Sequence, residues 1–297
     1  MRKELSKFLE YLRSIRNCSK HTVRNYAVDL QLFFNFLEEI SIQSVERTTI
    51  RHFIVSQREG GKSKRTIARR LSSLRAFFRF CMREKMLSQN PMQDVEGPKL
   101  DRPIPHPLTY AQVEQFLGLP DTSTYLGHRD RAMMELFYSS GLRVSELAGL
   151  NRSDVDKDEL LLRVLGKGNK ERIIPVTQRA LEWLFSYLNH AERCQTTKEH
   201  GAEKDEKAVF LNRLGMRLTT RSIDRLFSRY YKMSGFVDTI TPHVIRHTIA
   251  THWLEQGMDL KTIQMLLGHN SMATTTIYTE VSPDLKKKVI AKYHPKG

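Results

Sequence analysis

Apolar residues recur at helical spacing through the first 88 positions. Val23, Tyr26, Leu30, Phe33, Phe34 and Leu37 fall on one face of a helix starting near Ser19 or Lys20. Ile67, Leu71, Leu74, Phe77 and Phe78 mark a second helix, which Ser63 is placed to cap after the Gly60-Gly61 break. These faces predict the core of an all-α N-terminal domain over residues 1–90, not a ligand site. Pro91, Pro98, Pro103, Pro105 and Pro107 then interrupt the pattern. Proline lacks the helical N–H donor and holds its predecessor extended, so residues 91–107 read as a proline-rich interdomain linker.

A second domain is predicted over residues 108–297. Thr109 can cap a helix through LTYAQVEQFL, another helix runs from near Arg129 to Tyr138, and Gly141 interrupts before a short helix in RVSELAGL. The strand-like runs LLRVLG and ERIIPV flank the turn-rich GKGNK, the best hairpin signal in the chain. Helical patterns follow near 178–189, 219–233, 242–256 and 260–267, with Val209 and Phe210 as candidates for burial. The polar RCQTTKEHGAEKDEK reads as a surface loop or an extension of the helix before it. The expectation is a mainly α domain with a small antiparallel β-sheet.

Length and hydrophobic content, 297 residues and 40%, suffice for two cores. No apolar run of membrane-spanning length is present, and MRKELSKFLEYL has no secretory apolar stretch, so a soluble, cytoplasmic protein without membrane insertion is expected. Cys18, Cys81 and Cys194 lie far apart without companions at metal-ligand spacing, which predicts free thiols in a reducing compartment.

A net charge of +15 points to a polyanionic partner, DNA or RNA, although solubility alone also accounts for a high isoelectric point. Between Arg58 and Lys85 there are ten Lys or Arg residues against only Glu59 and Glu84. Lys62, Lys64, Arg65, Arg69 and Arg70 could follow a phosphate backbone, and Thr66 and Ser73 could add hydroxyl contacts. The competing reading is a solvated helix face.

Six further residues carry candidate chemistry. Arg143 sits at a turn, where it is either a phosphate ligand or the cap partner of Glu146. Lys167 is at the hairpin tip, where an exposed turn lysine needs no function but a mobile one could act as a general acid; Lys170 and Arg172 are alternatives or backbone contacts. His243 and Arg246 are three apart on one helix face, with Pro242 preorganising the first turn. Tyr278 lies nine residues after His269. Alone it reads as a packing residue; with the arginines and imidazoles it becomes a possible nucleophile, since a phenol needs a base or a strong positive field. No carboxylate or cysteine cluster accompanies the histidines to suggest a metal, Asp238 being a single acid. GKGNK lacks the phosphate-loop pattern, and no serine elbow is present.

SSGLRVSELAGL, GKGNKERIIPV, TPHVIRHTIATHWLEQG and LLGHNSMATTTIYT resemble successive catalytic motifs of the tyrosine recombinases, closest to the bacterial XerC/XerD branch. The segment around Thr22, Tyr26, Asp29, Leu30 and Phe34 resembles that family's SAM-like core-binding domain. The resemblance implies Arg143, Lys167, His243, Arg246, His269 and Tyr278 as the catalytic set, with Ile245 where leucine is common. It further implies a 3′-phosphotyrosine, a Holliday junction, and no cofactor or metal. The implied partners are double-stranded DNA, a DNA-bound homo- or heterotetramer with a related recombinase, and an FtsK-like translocase on the nucleoid. Compact length favours chromosome-dimer resolution at a dif-like site over large phage integrases; the alternatives are a plasmid or mobile-element integrase with the same chemistry and a non-cleaving, sequence-specific DNA-binding protein. In the tail, Val281, Leu285, Val289 and Ile290 suit a short helix packed on a neighbouring protomer.

Overall fold

A computed structural model of the chain describes residues 3–100, 107–166, 171–195, 205–237, 239–268 and 292–295. It divides into two compact units, Met1–Pro103 and Ile104–Gly297.

Among the described residues the first unit holds four α-helices, α1 (Lys3–Ser14), α2 (Lys20–Leu37), α3 (Arg47–Glu59) and α4 (Lys64–Arg83). Both expected caps are present. The Ser19 hydroxyl accepts from the Thr22 N–H at 3.2 Å, and the Ser63 hydroxyl accepts from the Thr66 N–H at 3.3 Å. The apolar faces of α2 and α4 meet in an aromatic core, where Phe33 stands edge-on to Phe53 and Phe78, and Phe77 edge-on to Phe34 and Phe8.

One buried acid ties α2 to α4. Asp29 accepts from the Ser73 hydroxyl at 2.9 Å and from Arg69, and Arg70 lies 3.9 Å from its second oxygen. Arg70 also donates to the Gln57 amide oxygen on α3. Arg70 and Ser73 are thus turned into the domain, because a buried carboxylate needs partners more than a solvated helix face needs them. The expected linker is also shorter than 91–107. Met92 and Val95 are buried in the first core, and Arg75 donates to the Val95 carbonyl at 2.8 Å.

The second unit begins with α5 (Tyr110–Leu117), α6 (Tyr125–Ser140) and α7 (Val144–Gly149). A three-stranded antiparallel sheet follows in the order β1 (Val155–Asp156), β2 (Leu161–Leu165) and β3 (Glu171–Pro175). Then come α8 (Gln178–Leu188), α9 (Ala191–Gln195), α10 (Thr220–Ser234), α11 (Pro242–Glu255) and α12 (Leu260–Leu267). The hairpin is in place, with Leu162 opposite Ile174 and Val164 opposite Arg172. Strand β1 and helix α9 carry too few residues to show a period.

Helix α6 is the centre of this core and starts four residues before the expected Arg129, with the Thr124 hydroxyl accepting from the Gly127 N–H at 3.1 Å. Its charges are buried in pairs, Arg129 with Asp130 and Arg131 with Glu135, each at 2.6 Å. That arrangement hides a core helix behind a polar sequence. At the far end of the chain, the ring of buried His294 packs edge-on to Tyr138 at 5.4 Å, and the Tyr110 hydroxyl donates to the Pro295 carbonyl at 3.2 Å. These tail residues therefore seat on the second unit of their own chain. The apolar set Val281, Leu285, Val289 and Ile290 lies outside the described residues. No helix among the described residues is long and apolar enough to cross a membrane.

Gly141 ends α6 in the left-handed conformation at φ 58°, and a Cβ there would stand 2.8 Å from Leu267 and 3.3 Å from Ile249. Both the dihedral and the space demand glycine. Gly141→Ala is expected to lower unfolding stability by about 2–4 kcal/mol, from left-handed strain plus overpacking. Urea unfolding monitored by circular dichroism checks this; a loss below about 0.5 kcal/mol, ordinary for a surface position, contradicts it.

Candidate active site

Gly141 lets the chain turn from α6 into α7 against α11 and α12, which places Arg143 at the N-cap of α7. Three residues on, Glu146 reaches back. Its carboxylate accepts from the Arg143 backbone N–H at 2.7 Å and from the Arg143 guanidinium at 2.8 Å. The same carboxylate accepts both terminal nitrogens of Arg172, on β3, at 2.8 Å each. That is a bidentate pair, the strongest geometry open to arginine.

A second acceptor array faces these donors. Helix α12 ends at Gly268, whose φ is 65°, and its last carbonyls have no helical partners. Arg172 Nε donates to the Leu266 carbonyl at 3.3 Å, Arg246 to the Leu267 carbonyl at 2.5 Å, and Arg143 to the Gly268 carbonyl at 2.6 Å. Arg246 is buried and also donates to the Gly141 carbonyl. Three guanidiniums from α7's cap, β3 and α11 thus hold three consecutive carbonyls at the negative end of α12's dipole.

The electrostatics follow from this crowding. Burial pushes the Glu146 carboxyl up, but the Arg172 and Arg143 donors outweigh it and hold the group below its usual 4.5. Arg246 is drawn down to about 10, first by burial and then by repulsion from Arg143, with Arg172 adding to it and Glu146 opposing. It remains a cation at neutral pH. Arg143 keeps more than a third of its side chain exposed, so it is the guanidinium most able to meet an incoming anion.

His243 is exposed on the first turn of α11, three residues before Arg246. Together they rim a groove of about 420 Å³ between α11 and α12, whose floor and walls include Leu254, Leu260 and Ile263. The structure brings Arg143, Arg246 and His243 to one region. Lys167, Lys170, Asp238, His269 and Tyr278 lie outside the described residues. Gly268, which Arg143 holds, is the residue directly before His269.

Two sequence readings are corrected here. Arg172 is not an open backbone contact: its side chain is 16% exposed and its donors go to Glu146 and Leu266. Glu146 is more than a cap, since it joins two arginines. The only sequence signal for it was an acid three residues after Arg143. Among the first unit's candidates, Lys62, Lys64 and Arg65 are exposed, and Thr66 is half-buried with its hydroxyl 3.0 Å from that of Ser63. Arg69 is half-exposed on Asp29.

A two-unit chain with a helical N-terminal unit, a mixed C-terminal unit and a pair of convergent arginines defines a class. Residues 107–284 match the phage integrase family, and residues 5–85 match the SAM-like N-terminal domain of phage integrases. The chain therefore belongs to the phage integrase family, the tyrosine recombinases. The tyrosine recombinases XerC of Chlamydia caviae and Chlamydia pneumoniae are 46% and 48% identical to it, each match covering 97% of both chains. XerC of Thermodesulfovibrio yellowstonii is 43% identical over 98% of this chain and 96% of its own. It is a XerC/XerD-like tyrosine recombinase, an enzyme of site-specific DNA recombination. The Tn1549 transposon integrase in complex with transposon right end DNA shares its fold, with a TM-score of 0.72 at 22% identity over 97% of this chain and 98% of that one. The lambda integrase dimer bound to a COC′ core site does so at 0.68 and 22% identity, over 94% and 97%.

Glu146→Gln is expected to cost about 3 kcal/mol at neutral pH, because it leaves the closely placed Arg143, Arg172 and Arg246 guanidiniums without a countercharge. The sign with pH follows from the depressed Glu146 value. Its stabilisation is present above 4.5 and is lost as pH falls through the lower folded value. The gap between wild type and variant should therefore close below pH 4.5 in urea unfolding at several pH values. A gap that is constant from pH 7 to pH 3 contradicts this.

Proposed function

We propose that the chain binds double-stranded DNA at a dif-like site and exchanges strands there, resolving chromosome dimers. The observation that carries this reading is the convergence of Arg143 and Arg246 at the end of α12, immediately ahead of the His269–Tyr278 segment. The full-length likeness to XerC enzymes supports the chromosomal role.

In this mechanism the Tyr278 phenol oxygen attacks the scissile phosphorus and loses its proton to His243. The bond from phosphorus to the 5′ oxygen breaks, and Lys167 protonates that oxygen, giving a 3′-phosphotyrosine and a free 5′-hydroxyl. Charge grows on the non-bridging oxygens during attack, and Arg143 and Arg246 stabilise it, with His269 assisting. Fixed guanidiniums suit this task because their positions are set before the charge appears. The 5′-hydroxyl of a partner strand then reverses the chemistry, forming and later resolving a Holliday junction. One phosphoester replaces another at each step, so no external energy source is consumed.

Four protomers, of this chain alone or with a related recombinase, assemble on paired sites. The apolar tail set from Val281 to Ile290 supplies the contact to a neighbour, and an FtsK-like translocase brings the sites together in the cytoplasm, on the nucleoid. A mobile-element integrase would use the same chemistry at a different site. Exchange between host dif-like sites separates the two roles.

On a nicked suicide duplex carrying the host dif-like site, wild type should trap a covalent adduct that peptide mapping places on Tyr278. Tyr278→Phe should bind with unchanged affinity and form none. An adduct on Tyr231 or Tyr293 contradicts the assignment. DNA binding should also separate the basic residues of the first unit. Neutralising Lys62, Lys64 or Arg65 should change stability by less than about 0.5 kcal/mol, as for surface positions, and lower the salt slope of binding by about one for each phosphate that is no longer neutralised. Arg70→Ala should instead lower stability, by about 1–3 kcal/mol, because Asp29 stays buried with fewer partners. Equal salt slopes for all four variants contradict the division.

A further inference from the structure

We infer that Arg172 is a positioning residue for strand cleavage, acting through Glu146 on Arg143 and through Leu266 on the end of α12. The inference rests on the phosphotyrosine chemistry proposed above for this same site. Arg172 lies on β3, next to the hairpin turn, yet its side chain faces away from solvent with 16% exposed. Each terminal nitrogen donates to a different Glu146 oxygen at 2.8 Å, and Nε donates to the Leu266 carbonyl at 3.3 Å. Every nitrogen of the guanidinium is thereby committed within the protein. The α12 terminus is shaped around it, for a Cβ added to Gly268 would stand 3.0–3.2 Å from Nε, Cζ and Nη1 of Arg172.

The consequence is geometric. Glu146 has two oxygens and three donors from Arg143 and Arg172 beside the Arg143 backbone N–H. The Arg172 fork fixes the plane of the carboxylate, and that plane sets the direction in which Arg143 points. Through Leu266 the same fork holds the turn of α12 whose next two carbonyls receive Arg246 and Arg143. Lysine in this place would keep the charge but not the fork, and a single ammonium cannot hold both carboxylate oxygens and the carbonyl in one plane. Arg172 does not need to touch DNA to matter. A guanidinium misplaced by about 1 Å can cost roughly a hundredfold in rate.

The test uses the full chain on the nicked suicide duplex with the host dif-like site, and measures binding affinity and single-turnover cleavage separately. Arg172→Gln and Arg172→Lys should bind the duplex as wild type does and cleave it roughly a hundredfold more slowly. In an Arg143→Ala background, adding Arg172→Gln should slow cleavage by less than about tenfold further, because the arginine positioned through Glu146 is already gone and only the route through Leu266 to the end of α12 remains. A residue with a merely structural role would slow both backgrounds by the same factor, and that result overturns the inference. So does cleavage at the wild-type rate by Arg172→Lys, or a loss of affinity that accounts for the whole effect and makes Arg172 a phosphate contact. Should Arg172→Gln fail to fold, the Lys variant carries the same comparison in both backgrounds. Absence of a Tyr278 adduct from wild type itself would instead refute the functional reading, and the inference would fall with it.

Discussion

Three guanidiniums do not gather in a half-dry site unless something negative holds them. Here that role is divided between one carboxylate and one helix end. Glu146 takes Arg143 and Arg172, while the carbonyls of Leu266, Leu267 and Gly268 take one guanidinium each. A carboxylate supplies a full charge, and a helix terminus supplies unpaired acceptors and the negative end of a dipole. Neither alone would suffice. The drop in the Arg246 pKa to about 10 shows the residual cost, because a folded value below the usual 12.5 means that its charge opposes folding at neutral pH. This penalty fades only as pH climbs from about 10. The chemistry proposed for Arg246 accounts for a fold that keeps such a group buried.

The architecture of the second unit serves that cluster. Gly141 allows the α6–α7 turn to press on Leu267 and Ile249, so the cap of α7 and the end of α12 come into reach of one another. Arg246 bridges them, donating to Gly141 on one side and Leu267 on the other. Strand β3 delivers Arg172 from a third direction. The first unit has a simpler logic: amphipathic helices, an aromatic core, and exposed basic residues at Lys62, just before α4, and at Lys64 and Arg65 in its first turn.

Much of this was legible in the chain. The α2 and α4 faces, their serine caps and the pairing of two strands in a hairpin all follow from local spacing, since each is settled by residues a few positions apart. The candidate residues were legible as a set only through the ordered motifs, because residues 143, 172, 246 and 268 meet by tertiary folding alone. What misled was charge. Arg70 and Arg172 read as solvent-facing cations, but the nearby acids decide where an arginine points, and Asp29 and Glu146 draw these inward, while Arg69 meets Asp29 and stays half-exposed. Helix α6 was legible over its charged residues but not at its start, since Tyr125–His128 precede the expected Arg129; the pairing of Arg129 with Asp130 and of Arg131 with Glu135 inside the core is tertiary and left no local signal. Short elements such as β1 carry no period at all. Lys167, His269 and Tyr278 rest on the family motifs.

We propose that Arg246 is kept buried, at a cost to stability, for the sake of the reaction. Arg246→Met tests it most directly, with urea unfolding and single-turnover suicide cleavage measured on the same preparation. Replacing a buried, repelled charge with an apolar side chain of similar length should leave stability within about 1 kcal/mol of wild type. Cleavage should fall by roughly a hundred- to a thousandfold, the scale for losing one preorganised donor to a developing oxyanion. A variant that cleaves within tenfold of wild type, or one that loses its cleavage only in step with a collapse of its fold, would contradict the account.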